Sequence, residues 1–444
     1  MTISSRSVSS RPVSSRFVQL DALRGLAALF VVFAHHVRVF DQQPGAAPEH
    51  VSQVSQVLHA LRYTPLFVLW GGHEAVVIFF ALSGFVLFLM LQKGGLTRTP
   101  VERFAKHFHP SGARRRETGS GRGVGNPASF RVVNETDGTR MSYPQYALRR
   151  VLRLYPPYLL AMLVAVGLAV TLGGRSVPGW AGQFWHGPYT PGSVVASLLM
   201  VGRFDDQQYD FVVWSLVHEM RVSLLFPLIA WAVLAWRARV TLGVFLGLSL
   251  LADALIYLAY HGLPALLPWR SFMETGHYVV IFVVGALIAR QYPRLAAWTA
   301  ARTRAQTWAL AAAALASYCY GGAVLPALGL DSNAGDLLIV PGTVLTVLLC
   351  AAHPAFQRPL AHPWLQFLGR VSYSLYLTHA LVLLTVLHLS TLPLPWSLLL
   401  SLSLCVPVAA LTYALAEQPS LTLTRRLARS ARTTPTAHTT PPAQ

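Results

Sequence analysis

The fold of this chain is indicated most directly by residues 66–91, which read LFVLWGGHEAVVIFFALSGFVLFLML. An α-helix needs ~20 predominantly apolar residues to cross the hydrocarbon core of a bilayer, and this stretch is long and apolar enough to do so. The whole chain of 444 residues has the same character, because it is 54% hydrophobic and only 12% charged, with a mean hydropathy of +0.47. Ordinary soluble domains carry about 25% charged residues, so this composition argues against a soluble fold.

Apolar stretches of similar length recur along the chain, separated by short connections rich in Pro, Gly and Arg. They predict an all-α fold, a polytopic transmembrane helix bundle of about ten spans. The predicted spans cover residues 18–39, 66–91, 149–172, 213–235, 241–260, 275–290, 306–322, 337–352, 371–389 and 397–416.

The distribution of basic residues predicts the orientation of the bundle and its division into segments. Most of the 35 Lys and Arg residues lie in alternate connections and in the two tails. The positive-inside rule therefore places both termini in the cytoplasm. We expect a disordered N-terminus at 1–16 with no signal peptide to be removed, a transmembrane domain at 17–419, and a disordered tail at 420–444.

A long basic loop at 93–147 is expected on the cytoplasmic side, and its Gly, Ser and Arg content indicates disorder. Attraction to anionic lipid or a dedicated regulatory site would both explain its charge. The net charge of +18 does not indicate nucleic-acid binding, because the basic residues lie between apolar spans. The three cysteines have no metal-ligand spacing, so no metal site is predicted.

The first span, LDALRGLAALFVVFAHH at 20–36, places charged and titratable residues in an apolar helix. Arg24 and His35 are about 20° apart around the helix axis and about 16 Å apart along it, so they share one face. Asp21 lies on that same side, where an ion pair can shield the arginine, whereas His36 is turned about 100° away. Because burying such groups in lipid is costly, a functional role is predicted for His35.

The fourth span begins WSLVHEMRVSLLFP at 214–227 and carries Trp214, His218 and Glu219 in its outer half. Counted at 1.5 Å per residue from the span midpoints, Glu219 and His35 lie at similar depth. A carboxylate beside an imidazole can fix its tautomer and stabilise its charged form, as a general base requires. The alternative is a buried ion pair between Glu219 and Arg221 that holds helices together.

The inner end of the third span, RRVLRLYPPY at 149–158, brings Arg150 and Arg153 onto one helical face. Guanidinium groups bind phosphates through paired hydrogen bonds, so these residues are candidates for holding the phosphates of a donor. They can equally be topogenic charges at a cytoplasmic helix end.

Two other spans carry candidate residues. Ser83 and Gly84 provide a small surface that suits either close helix packing or a slender ligand chain. Tyr376 and His379 are three residues apart on one face of the ninth span, where they can bond each other or face a substrate. Glu417, at the inner end of the last span, is a candidate partner for the inner arginines.

The segment from 173 to 212 is expected to be interfacial or re-entrant, since its apolar run is too short to span. Its aromatic residues, which include Trp180, Phe184 and Trp185, indicate a membrane-interface belt or the mouth of an outward-facing cleft.

Several of these segments together resemble the acyltransferase 3 family of bacterial integral membrane acyltransferases. The Arg24 and His35 pair resembles the family's arginine, ten residues, histidine pattern, and FFALSGFVLF, RRVLRLYPPY, WSLVHEMRVSLLFP, SYSLYLTH and EQP resemble further blocks in family order. The chain departs from the family at Arg221, Val222 and Ser223, where many members have a phenylalanine-tyrosine pair, and in its long inner loop.

The resemblance implies a multi-pass enzyme of the bacterial inner membrane that transfers an acyl group, usually acetyl, from cytoplasmic acyl-CoA to a hydroxyl of a glycan or glycolipid. The acyl-CoA is a donor and not a permanently bound cofactor. The oligomeric state is not predicted. A transporter or flippase would also use buried histidine, arginine and glutamate, and it is the alternative.

Under the acyltransferase interpretation, each candidate residue has an expected role. The catalytic residues would be His35, Arg24 and Glu219. The donor site would be formed by Arg150, Arg153, Ser83 and Gly84. The acceptor site would be formed by Trp214, His218, Tyr376 and His379.

Overall fold

The computed structural model describes residues 17–40, 53–93, 142–175, 177, 179–202, 208–328 and 333–433. All regular structure within these ranges is helical. Residues 1–16, most of the predicted basic loop (94–141) and the tail from 434 lie outside the described residues.

Ten of the described helices are long and apolar enough to cross a membrane, which confirms the predicted all-α polytopic bundle. They are α1 (Val18–Arg38), α2 (Gly72–Lys93), α3 (Tyr143–Leu172), α4 (Trp214–Ala235), α5 (Ala238–His261), α6 (Arg270–Ala300), α7 (Arg304–Ala327), α8 (Asp336–Ala352), α9 (Pro363–Leu389) and α10 (Leu394–Thr412). Shorter helical segments are Gln53–Leu61, Pro65–Leu69, Trp180–Gln183, Pro191–Leu198, Pro264–Trp269, Asn333–Gly335, Pro354–Leu360, Tyr413–Glu417 and Gln418–Thr433.

Successive spanning helices run in alternate directions. We call the end at which α1 begins the proximal end and the end at which α1 terminates, near His35, the distal end. The start of α3 at the proximal end is fixed by a capping box: the Ser142 hydroxyl accepts the Gln145 N–H, and the Gln145 side chain accepts the Ser142 N–H.

Small residues allow the central helices to approach closely. A Cβ at Gly84 of α2 would overlap the Phe282 carbonyl of α6, and one at Gly285 of α6 would overlap the Ala81 carbonyl of α2. The α1–α9 contact is similar, because a Cβ at Gly25 would lie 2.5 Å from the backbone nitrogen of Gly369. Such contacts bring backbones together where lipid supplies no hydrophobic drive for helix association.

The helices divide into an inner and an outer set. In the span of α9, 89% of residues are buried, and in that of α2, 78%, whereas in the span of α7 only 22% are. Polar groups on α2, α4, α6 and α9 are therefore held in protein, while α5, α7 and α10 offer most of their surface to lipid.

Two expectations about the non-spanning segments need correction. The chain remains helical through Gln418–Thr433, where a disordered tail was expected from 420, and Ser420 donates its hydroxyl to the Leu152 carbonyl. The aromatic residues after α3 do not form a belt at the membrane interface, because Trp180, Phe184 and Trp185 are buried within the protein. The segment folds inward over the distal end of the bundle.

Candidate functional site: a distal cavity and a proximal arginine cluster

The side chain of His35, near the distal end of α1, bonds to a second histidine. Its Nδ1 lies 2.9 Å from Nε2 of His379 on α9, and Nδ1 of His379 lies 3.1 Å from the Leu375 carbonyl oxygen. A carbonyl only accepts, so His379 carries its proton on Nδ1 and presents an Nε2 lone pair to His35. His35 then carries its own proton on Nδ1, which leaves its Nε2 lone pair available.

Aromatic rings enclose this histidine pair. The His35 ring is stacked 5.9 Å from Trp180 and lies edge-on 4.9 Å from Phe211, both from the inward-folded segment. The guanidinium of Arg38 lies over Trp180 as well, 5.4 Å from its ring centroid. His35 is consequently held in one orientation by packing on two sides and by His379 on a third.

His35 lines a cavity of about 400 Å³ at the distal end. Two of the predicted acceptor residues, Trp214 and Tyr376, line the same cavity. The remaining lining residues are Val31, Ala34, Val37, Arg38, Ser55, Leu58, His59, Arg62, Phe67, Trp70, Gly72, His73, Glu74 and Val76. The cavity thus combines aromatic faces with polar side chains, as small-molecule sites do.

The hydroxyl of Tyr376 is fixed at the wall of this cavity. It donates to the Val212 carbonyl at 3.1 Å and lies 2.7 Å from the Ser215 hydroxyl. The Trp214 ring packs beside it against Tyr278, 5.6 Å between centroids. These contacts make the aromatic wall rigid.

The other two predicted acceptor residues do not belong to the cavity lining. His218 is buried, with Nδ1 2.8 Å from the Thr275 hydroxyl, and its ring packs between Trp214 and Tyr278. His379 lies behind His35 and supports its tautomer. Both expectations of direct acceptor contact are therefore corrected to supporting positions.

Glu219 does not contact His35 as expected from depth. Its Oε1 accepts the Ser83 hydroxyl at 3.0 Å and an Arg150 N–H at 3.3 Å. The carboxylate expected to orient the catalytic imidazole instead joins α2, α3 and α4.

The reason is an axial shift of α4. Tyr143, the first residue of α3, donates its hydroxyl to the carbonyl of Leu224 in the middle of α4, and Tyr146 donates to Ser223. Leu224, near the middle of α4, therefore lies level with the start of α3. The whole of α4 is closer to the proximal end than expected if the middle of α4 lay at the middle of the bundle. Glu219 therefore meets an arginine of α3 and not the distal end of α1.

The alternative ion pair of Glu219 with Arg221 is also wrong. Arg221 donates to the Ser271 carbonyl at 2.7 Å and to the Gly202 carbonyl at 2.7 Å. It also stacks on Phe272, 4.0 Å from the ring centroid. Arg221 therefore attaches α4 to α6 and to the inward-folded segment.

Three arginines predicted from sequence gather in the proximal half. Arg24 and Arg153 interact electrostatically with each other and with Glu417, and Arg153 also interacts with Arg150. Arg150 is satisfied in part, by Glu219 and by the Ser223 hydroxyl at 2.7 Å.

The cluster has unused donors. The buried Nε atoms of Arg24 and Arg150 have no hydrogen-bond partner among the described residues. Glu417, which interacts electrostatically with Arg24 and Arg153, accepts the Ser374 hydroxyl at 2.6 Å. Buried N–H groups without partners are uncommon and mark a place where an anionic ligand can bind.

The two small residues proposed to accommodate the donor have structural contacts instead. Ser83 is buried and bonds Glu219, and Gly84 is covered by the backbone of α6 at Phe282. Gly84 is therefore a packing residue, and the expectation of a ligand contact there is corrected.

His36 is fully accounted for by the fold. Its Nδ1 donates to the Val32 carbonyl at 2.8 Å, and its Nε2 lies 3.0 Å from the Ser401 hydroxyl. The sequence argument that His36 faces away from His35 is confirmed by these partners on α1 and α10.

Sequence reasoning missed His73 and Glu74, which line the cavity at the start of α2. The sequence does place these two titratable residues side by side at the edge of a strongly apolar span. Ionisable residues in such a position are candidates for a functional site. Among the described residues, no group of three or more His, Cys, Asp or Glu side chains has an arrangement suited to a metal ion.

Ten spanning helices, a histidine pair at a distal cavity and a proximal arginine cluster, linked through His35 and Arg24 of α1, define a polytopic membrane protein with the residues of a group-transfer enzyme. One family model, described as an acyltransferase domain (Acyl_transf_3), matches residues 17–417. The chain belongs to this family, which confirms the resemblance seen in its motifs, and it is a membrane acyltransferase. Searches of curated proteins and of solved structures found no match.

Proposed function

We propose that this protein transfers an acyl group, acetyl in the first instance, from cytoplasmic acyl-CoA to a hydroxyl of a carbohydrate or glycolipid. The observation that carries the proposal is the placement of His35, which lines the distal cavity and whose Nδ1 is held by His379, so that its Nε2 lone pair is left for the acceptor. A base so prepared can accept the proton of an acceptor hydroxyl.

The orientation of the bundle supports acceptors from outside and donors from inside. The positive-inside rule makes the proximal end cytoplasmic. The distal cavity then opens toward the extracytoplasmic side of a bacterial inner membrane, where glycans and glycolipids are modified.

The arginine cluster supports a donor site at the opposite end. Arg24 and Arg153, with Arg150 beside them, supply positive charge and unused N–H groups for the phosphates of CoA. Arg24 and His35 share a face of α1 about 16 Å apart, so the pantetheine arm would follow α1 from the cluster to the histidine.

The transfer requires only His35, the acceptor hydroxyl and the thioester. His35 Nε2 takes the acceptor's hydroxyl proton as the oxygen attacks the thioester carbonyl, and the C–S bond breaks as the tetrahedral intermediate collapses. The imidazolium then returns its proton to the CoA thiolate. Transfer of the acyl group first to Nε2 and then to the acceptor uses the same lone pair and is the second possible route.

In the proposed mechanism Glu219 is a positioning residue for the donor site. By holding Arg150 and Ser83 it fixes the arginine face of α3 against α2, so it positions the donor cluster and does not orient the imidazole. At the other end, the aromatic faces of Trp70, Trp214 and Tyr376 suit the flat faces of a sugar ring.

Thioester consumption by purified protein tests the proposal. Labelled acetyl-CoA is supplied with the lipid-extractable glycan fraction of the host membranes, and label is followed into the glycan as CoA is released. We expect both to appear in equal amount and only with active protein. A transporter or flippase would release no CoA, and that result would contradict the proposed function.

A further inference from the structure

A chain of carboxylates and imidazoles separate from the His35–His379 pair reaches the distal cavity at His73. Nε2 of His73 on α2 lies 2.7 Å from Oδ1 of Asp336 on α8. The other oxygen of Asp336 lies 3.4 Å from Nε2 of His277 on α6, and Nδ1 of His277 lies 2.9 Å from Asp253 on α5. Four helices are thus joined by alternating acid and imidazole groups.

Nδ1 of His277 hydrogen-bonds Asp253, whereas its Nε2 lies within ion-pair range of Asp336, at 3.4 Å, but has no hydrogen-bond partner among the described residues. Asp336 is then shared between two imidazoles, and its bond to His73 fixes the ring of His73 with Nε2 as donor. The Asp336 carboxylate, 2.7 Å from Nε2, stabilises the protonated form of His73, in which Nδ1 also carries a proton. Buried carboxylates and imidazoles are retained where they pair with each other, as His73 does with Asp336 and His277 with Asp253.

Of the four residues in this network, His73 is the one that lines the cavity. Its side chain is 43% exposed, whereas that of Asp336 is 10% exposed and that of His277 only 1%. Its Nδ1 has no hydrogen-bond partner among the described residues, and its ring is stacked 6.2 Å from Trp214. A buried network therefore holds one imidazole nitrogen toward the space where the acceptor would lie.

We propose that His73 is an acceptor-binding residue, whose Nδ1–H donates to a second oxygen of a hydroxyl-rich ring packed on Trp214, and that Asp336, His277 and Asp253 position it. The inference rests on the proposed function and adds the group that orients the acceptor. His35 and His73 lie on the same cavity but on different helices, so one would act on the reacting hydroxyl and the other on a neighbouring oxygen.

The two nitrogens of His73 allow a sharp test. An asparagine side chain places its N–H₂ about as far from the backbone as Nδ1, and a glutamine about as far as Nε2. His73→Asn thus keeps a donor toward the cavity, and His73→Gln keeps the bond to Asp336. The control is His261→Ala, which removes an exposed distal histidine that bonds only its own helix at Tyr257.

Transfer from labelled acetyl-CoA is measured while the host's lipid-extractable glycan is titrated by sugar content, and donor KM is measured separately. We expect His73→Ala to raise the acceptor KM about 10- to 100-fold, the cost of a charge-assisted hydrogen bond, with donor KM within about twofold. His73→Asn should recover much of this loss and His73→Gln should not. Asp253→Asn, which lies outside the cavity lining, should raise the acceptor KM by several fold, and His261→Ala should leave it unchanged.

Detergent melting temperatures and yields of the variants separate misfolding from lost recognition. Recovery by His73→Gln and not by His73→Asn would show that His73 only braces Asp336, and would overturn the proposal. A wild-type acceptor KM in His73→Ala would do the same, and one in Asp253→Asn would overturn the positioning part. Absence of thioester consumption by the wild type would instead remove the proposed function, and this inference with it.

Discussion

At the scale of single residues, His35 and His36 show how surroundings separate identical side chains. Both ring nitrogens of His36 form hydrogen bonds, one with Val32 and one with Ser401. In His35 one nitrogen bonds His379, and the other is left without a partner among the described residues. The helical period of α1 predicts that they face different ways. It does not predict their partners, which come from α9 and α10.

The first prediction concerns this pair. Loss of a positioned base typically costs ~100- to 10,000-fold in rate, so His35→Ala should nearly abolish acyl transfer while membrane insertion and yield stay near wild type. His36→Ala removes two structural hydrogen bonds and should lower yield more than turnover. The measurement is labelled acyl transfer per unit of folded protein in matched membranes. Near-normal turnover by His35→Ala would refute the catalytic assignment.

A second prediction concerns Asp210, which precedes α4 outside the spans. Burial raises the pKa of Asp210 to about 8 from an ordinary value of 3.8, although the Val212 N–H opposes the shift. The folded protein therefore holds this proton more tightly than the unfolded chain does. Its contribution to stability is complete below about pH 4 and is lost as the pH rises through about 8.

Melting temperatures in detergent from pH 5 to 9 check the Asp210 prediction. The wild type should lose stability toward pH 9, and Asp210→Asn, which cannot ionise, should give a flatter curve. Parallel curves for the two proteins would contradict this account.

At the scale of elements, backbone contacts between helices decide what each motif does. The Ser83 and Gly84 pair suits a ligand channel or a helix contact equally well by sequence. The structure places α6 against Gly84, so this pair forms a helix contact. The choice depends on which helix lies opposite, and neither spacing nor hydropathy contains that information.

A third prediction tests this helix contact. Gly84→Val would drive a side chain into the backbone carbonyl of Phe282, and backbone gives way less readily than a flexible side chain. We expect a loss of at least ~1–3 kcal/mol in unfolding free energy, seen as a lower melting temperature and yield in detergent. Gly243→Val on α5 is the matched control, because nothing lies within 4 Å of a Cβ there. Equal melting of the two variants would show that the α2–α6 contact is not close-packed.

At the scale of the whole molecule, the two ends of the bundle carry different functional groups. The distal end carries the cavity with His35 and His73, and the proximal half carries Arg24, Arg150 and Arg153. Helix α1 links the two, because it holds one member of each group on a single face. The proposed transfer from a donor at the proximal end to an acceptor at the distal end would use both groups.

The orientation itself is the fourth prediction. Cysteines placed at the exposed distal residues Leu263 and Thr391 should react with an impermeant thiol reagent in intact cells, and one at the exposed proximal residue Ala301 should react only after lysis. The native cysteines, Cys319, Cys350 and Cys405, are buried, so the unmodified chain serves as the background. Labelling of Ala301→Cys in intact cells, with Leu263→Cys and Thr391→Cys protected, would invert the orientation.

The sequence by itself determined the membrane as solvent, the ten spans, the family, and the shared face of Arg24 and His35. These follow from hydropathy and from the helical period, which are local along the chain. Only the tertiary structure decided that His379 and not Glu219 supports His35, that Glu219 holds Arg150, and that a network through Asp336 places His73 at the cavity. The depth and rotation of each helix depend on its packing against helices distant in sequence, and the axial shift of α4 moved Glu219 away from the partner that its position along the chain had suggested.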